Sequence, residues 1–69
     1  MKLVKTTKKH FIYELTEKEK QDARVDNGYN FVLFSKADYE DYKPRFNDDI
    51  GYEDWQTDTL EEAIEFSNN

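Results

Sequence analysis

A single histidine, His10, and a complete lack of cysteine set the limits of any catalytic chemistry in this sequence. Acid–base work near neutral pH falls first to histidine. A serine nucleophile needs that histidine beside its hydroxyl. His10 would have to meet Ser35 or Ser67, and neither serine stands in a nucleophile-elbow motif. His10 also follows Lys8 and Lys9, where the ordinary expectation is a partly exposed strand residue. Asp and Glu together number 16, so no pair of carboxylates stands out. Glycosidase-type use of two carboxylates needs a deep cleft, which a chain of 69 residues seldom builds. These residues point away from an enzyme.

The stretch Asn47-Asp48-Asp49-Ile50-Gly51-Tyr52-Glu53-Asp54 invites a calcium reading. An EF-hand loop needs oxygen ligands at its first, third and fifth positions and glycine at its sixth. With Gly51 in that place the first position is Phe46, and the motif fails. Zero cysteines exclude disulfides and thiolate zinc sites. Two glycines cannot furnish a phosphate loop or a dinucleotide fingerprint. No metal and no cofactor is expected.

Surfaces are more informative than catalytic groups. The formal net charge is -6, and it is unevenly placed. Lys2, Lys5, Lys8, Lys9, Lys18 and Lys20 dominate the beginning of the chain, whereas carboxylates dominate the remainder. In the acidic part, Tyr39, Glu40, Asp41 and Tyr42, then Asp48, Asp49, Tyr52, Glu53, Asp54 and Trp55, interleave rings with carboxylates. Aromatic rings anchor interfaces, and carboxylates steer a basic partner toward them. Carboxylates so arranged can also imitate the phosphates of duplex DNA. The bland counterpart is that the rings face inward and the acids merely solvate the surface. In the basic part, Lys2, Lys5, Lys8 and Lys9 lie near Phe11 and Tyr13, the combination of cations and stacking rings used to bind single-stranded nucleic acid. The overall negative charge opposes that second reading.

Length allows one domain, residues 1–69, and no second. A core of this size yields only about 3–5 kcal/mol of net stability. Aromatics at 16% help, because each ring buries a large area. A monomer, or a weak homodimer where self-association assists the core, is expected. The longest clear apolar run, Phe31-Val32-Leu33-Phe34, is far short of the ~20 residues that span a bilayer. The basic start is not followed by an apolar stretch, so a cytoplasmic protein with no membrane contact is expected.

Any site must be positioned by few elements. His10-Phe11-Ile12-Tyr13-Glu14-Leu15 alternates and predicts a strand near 9–15, with Phe11, Tyr13 and Leu15 on one side and His10, Ile12 and Glu14 on the other. Leu3-Val4 extends it or forms a short strand of its own. Thr16-Glu17-Lys18-Glu19 fits a capping box, which permits a helix over 17–24. Asn27-Gly28 signals a type I′ hairpin, and the favoured alternative makes 21–25 a strand. Tyr29 to Ser35 reads as the central strand, apolar on both faces and covered by a helix on at least one. Ser35 to Tyr42 suits a short helical turn ended before Pro44, and Arg45 to Asp49 reads as loop. Gly51 permits a turn before a last strand at Tyr52 to Trp55. The C-terminal helix starts with Asp58 as N-cap and Glu61 completing the box. Leu60, Ala63 and Ile64 form its apolar stripe, and 67–69 fray.

The run Thr57 to Phe66 resembles the terminal helix of many short bacterial and phage proteins, a likeness of capping pattern that carries no function. In size and in its richness in Lys, Asn, Tyr and Asp, the whole chain resembles the small acidic uncharacterised proteins of Gram-positive phages and prophages. That resemblance implies a host-directed accessory protein, often an inhibitor that binds a host protein.

The expected architecture is α+β: a mainly antiparallel sheet of three or four strands with the C-terminal helix across one face. The expected function is a non-enzymatic protein-binding module for a partner with a basic surface. Single-stranded nucleic-acid binding is the alternative.

Overall fold

The structure is a computed structural model and describes residues 1–25 and 28–69. Four strands, β1 (Lys2–Thr6), β2 (His10–Glu14), β3 (Phe31–Ser35) and β4 (Trp55–Thr57), form one antiparallel sheet in the order of the chain. A short helix α1 (Phe46–Asp49) precedes β4, and α2 (Leu60–Asn68) follows it. The α+β class and the C-terminal helix packed on the sheet are as the sequence predicts.

Both faces of the sheet are covered. Alternation along β2 and β3 sends Ile12 and Leu33 to one side, where Ala63 closes over them with Leu60, Ile64 and Phe66 of α2. It sends Tyr13, Val32 and Phe34 to the other side, where Leu15, Val25, Tyr39 and Ile50 complete a second core. The predicted face assignments of Phe11, Tyr13 and Ile12 hold, and β3 is apolar on both faces as expected, with Phe31 and Leu33 on one and Val32 and Phe34 on the other. Leu3-Val4 forms the separate strand β1, and its register shifts between Leu3 and Lys5. As neighbours on a strand, Leu3 packs into one core and Val4 into the other.

Several predicted elements move. Neither a helix over 17–24 nor a strand over 21–25 forms. The Thr16 capping box is present, with the Glu19 amide donating to Thr16 Oγ1 at 3.1 Å and the Thr16 amide donating to Glu19 Oε1 at 2.8 Å. It nucleates only a 3-10 turn at Glu19–Gln21. No ladder position is open to 21–25, because β3 has β2 on one side and β4 on the other. Asp22 instead folds that segment back on itself, accepting from the Arg24 amide and from its guanidinium. Those donors hold the Asp22 carboxyl down at about 2. The predicted Asn27-Gly28 turn lies in part outside the described residues; Gly28 itself has a φ of +88°.

Residues 36–42 make turns in place of the predicted helical turn, since only i→i+3 bonds form, at Asp38 and Tyr39. Arg45 to Asp49, read as loop, carries α1. Its N-cap, Arg45, offers no side-chain acceptor, so the usual signal is missing. Asp49 stands in by reaching back to accept the Arg45 amide at 2.7 Å. The last strand lies at 55–57, not 52–55. Gly51, at a φ of +99°, and a turn bond from the Tyr52 amide to the Asp49 carbonyl carry the chain out of α1 first. Helix α2 is capped one residue later than predicted: Thr59 Oγ1 accepts the Glu62 amide at 3.1 Å. Asp58 is occupied elsewhere, accepting from Asn30 Nδ2 at 2.8 Å.

Candidate functional site

Two places gather groups that could do chemistry. The first surrounds His10. Its position at the start of β2 turns it toward α2, with Ile12, by the two-residue alternation of the strand. There it is 6% exposed, so the expected partly exposed residue is in fact buried. His10 Nε2 lies 2.6 Å from Asp54 Oδ2, and Nδ1 lies 2.8 Å from Ser67 Oγ. A carboxylate only accepts, so Nε2 carries the hydrogen to Asp54, and Nδ1 shares the second bond with the Ser67 hydroxyl. Ser67 in turn meets the Thr7 hydroxyl, and Thr7 Oγ1 accepts the His10 amide at 3.0 Å. Ser67 therefore does not fray; the last turn of α2 is fastened to β2.

The order Asp54, His10, Ser67 is that of an acid–base–nucleophile triad. Access decides what it can do. Ser67 is 3% exposed, and its hydroxyl is engaged by both His10 and Thr7. An acyl carbon has no approach to that oxygen in this arrangement. The cluster is a polar clasp joining β2, α2 and the entry to β4, and Phe66 covers the imidazole at 5.8 Å. Of the two serines the sequence offered, Ser67 is the one bonded; Ser35 is only the cross-strand neighbour of His10.

The second place is the acidic aromatic stretch, which the fold divides. Tyr39 and Asp49 point inward and leave the predicted surface. Tyr39 packs edge-on against Phe34, and its hydroxyl donates to Asp49 Oδ1 at 3.3 Å. Burial, with the Asp49 carboxylate beside it, pushes the Tyr39 phenol up to about 12. Tyr42, Tyr52 and Trp55 stay outside, at 59%, 77% and 52% exposed. Glu40, Asp41 and Asp48 are exposed acids. Glu53 is half-buried, accepting the Gly51 amide at 2.6 Å and also the Gln56 amide group. Asp54 is engaged by His10.

Trp55 is the centre of what remains. Its register opposite Leu33 sets it on the α2 side, where it stacks on Phe66 with 5.5 Å between centroids and 8° between planes. It borders two hollows. One, of about 190 Å³, is lined by Tyr29, Glu53, Asp54, Trp55 and Gln56. The other, of about 300 Å³, is lined by Trp55, Thr57, Glu62, Glu65, Phe66 and Asn69. Glu62 and Glu65 lie outside the apolar stripe that the sequence marks on this helix. Their spacing from Phe66 on one helix could have signalled the site, had β4 been placed at 55–57.

The basic candidates divide as well. Lys8 and Lys9 line a hollow of about 420 Å³ with Lys36, His10 and Asp54. Lys2 and Lys5 lie exposed on β1. Tyr13 is buried in the core, where burial raises its phenol, so its ring has no face for a base. Phe11 is half-buried with Lys36 Nζ over its ring at 5.5 Å. Among the described residues no three His, Asp or Glu side chains gather as a metal site, and no helix is long and apolar enough to cross a membrane. Comparison of the chain with protein-family models, with curated proteins and with solved structures finds no match.

Proposed function

We propose that this chain is a non-catalytic protein-binding module whose working surface centres on Trp55 and the carboxylates of α2. The observation that carries the reading is the half-exposed indole, stacked on Phe66 and flanked by Glu62 and Glu65 in a chain of net charge -6. A fixed ring supplies contact area at low entropic cost, and surrounding carboxylates steer a basic partner. An accessory protein or inhibitor of the phage type, acting by occupying a host protein, fits this role. The nucleic-acid alternative is less well supported, because Tyr13 is not available for stacking and Asp54 faces the lysine-lined hollow.

Affinity capture from lysate tests the reading. Proteins retained by the wild-type chain should be lost with Trp55→Ser and retained with Lys5, Lys8 and Lys9 changed together to serine. Far-UV circular dichroism should establish that both variants are folded. Capture that ignores Trp55 and depends on the lysines would reverse the assignment.

A further inference from the structure

We propose that the hollow between Trp55 and α2 receives an arginine side chain of the bound protein, its guanidinium lying on the indole and bridged by Glu65. This deepens the binding-module reading above and rests on it.

Charge comes first. Glu62 and Glu65 line this hollow and no lysine or arginine does. The ligand group that fits is therefore a cation. The two hollows beside Trp55 differ in what their carboxylates are free to do. In the one under Gln56, Glu53 already accepts from Gly51 and Gln56, and Asp54 accepts from His10. In the α2 hollow, Glu62 takes one hydrogen bond from Thr59 Oγ1 at 3.0 Å as part of the helix cap. Glu65 is exposed and carries no hydrogen bond or ion pair among the described residues. Both of its oxygens are open to a donor, whereas in the other hollow three of the four carboxylate oxygens already accept a bond, so the α2 hollow offers the freer carboxylate.

Ring geometry then selects the kind of cation. Trp55 lies nearly parallel to Phe66, which covers one side of the indole, yet 52% of the residue stays exposed. A flat open ring beside a free carboxylate suits a flat donor that can stack and bond at once. Guanidinium is planar, weakly hydrated and carries paired N–H groups matched to the two oxygens of a carboxylate. An ammonium is a compact, strongly hydrated point charge and gains less from the indole face.

Trp55 is the chain's one tryptophan, so its fluorescence reports on the surroundings of this ring, and Glu65→Gln assigns the response to the α2 hollow. The test titrates the full chain with a short glycine-spaced arginine peptide, its lysine counterpart and its citrulline counterpart. The arginine peptide should perturb Trp55 emission saturably. The lysine peptide should bind about tenfold more weakly, and the neutral citrulline peptide should give no saturable change. Glu65→Gln, at an exposed position that leaves the fold intact, should weaken the arginine peptide about tenfold, the loss expected for one charge-assisted hydrogen bond. Equal affinity for arginine and lysine, unchanged binding to Glu65→Gln, or no saturable response to arginine would each overturn the inference. The binding-module reading fails separately: it falls if lysate capture ignores Trp55, whatever the peptides do.

Discussion

The two faces of the sheet are closed by different means. On one, a single helix lays Leu60, Ala63, Ile64 and Phe66 over Ile12 and Leu33. On the other, no long helix is present among the described residues, and the cover is assembled from irregular segments around Phe34. Individual bonds hold those segments. Asp49 ties Arg45 and Tyr39 together, and the Met1 amino group donates to Glu19 Oε2 at 2.5 Å. Arg24 lies over Phe46 and donates to the Asn47 carbonyl at 3.2 Å, which joins the 3-10 segment to α1. A helix buries a stripe through repetition, whereas loops must satisfy each backbone group separately. The loop-covered face is accordingly the one where a single change should spread.

The largest effect should come from that face. Phe34 is 0% exposed and sits edge-on to both Tyr13 and Tyr39. Phe34→Ala should cost about 3–5 kcal/mol, comparable to the whole stability of a domain this size, and leave the chain unfolded by circular dichroism at 25 °C. A folded Phe34→Ala variant with a cooperative urea transition would show that the loop cover adapts more readily than its bonding implies. Next comes the clasp on the helix face. Ser67→Ala leaves the buried His10 Nδ1 without its partner and should cost about 1–3 kcal/mol in urea unfolding. A neutral result would mean that water replaces the serine and that the apolar stripe alone seats α2.

Gly51→Ala sharpens the contrast on a smaller scale. No atom lies within 4 Å of the added methyl, so the cost is the positive φ alone, about 1 kcal/mol in the same assay. The smallest effect, absent at neutral pH, is the ionisation of Tyr39. Its phenol is raised from 10.0 to about 12 in the folded chain. The unfolded chain thus loses this proton first, and stability present below pH 10 should fall as pH rises through 12. An ultraviolet tyrosinate titration should place one phenol near the upper value in the wild type and lose it in Tyr39→Phe.

What the sequence disclosed follows the same division. Alternation in β2 and β3 and the stripe of α2 are repeating patterns, and they marked the sheet, its two faces and the helix. The ends and irregular parts are set by single bonds with no period. Thr59 captured the cap from Asp58 because Asp58 was already engaged by Asn30. Asp49 capped α1 from within, so Arg45 carried no signal at the entry. Displacing β4 from 52–55 to 55–57 shifted Trp55 from the end of a strand to its beginning, and with it the composition of the site. His10 shows the limit most plainly: nothing local in Lys8-Lys9-His10 announces a serine at position 67 or an aspartate at position 54.

That clasp has a kinetic consequence. Strand order matches chain order, so every ladder in the sheet joins strands that succeed one another along the sequence. Such contacts close modest loops and can form early on the route to the native state. The His10–Ser67 bond instead spans 57 positions and needs α2 already seated on the sheet. Bonds made after the rate-limiting step leave the folding rate alone and slow the reverse reaction. A clasp made at that stage is a latch on escape: in stopped-flow experiments Ser67→Ala should unfold faster than the wild type and refold at the same rate.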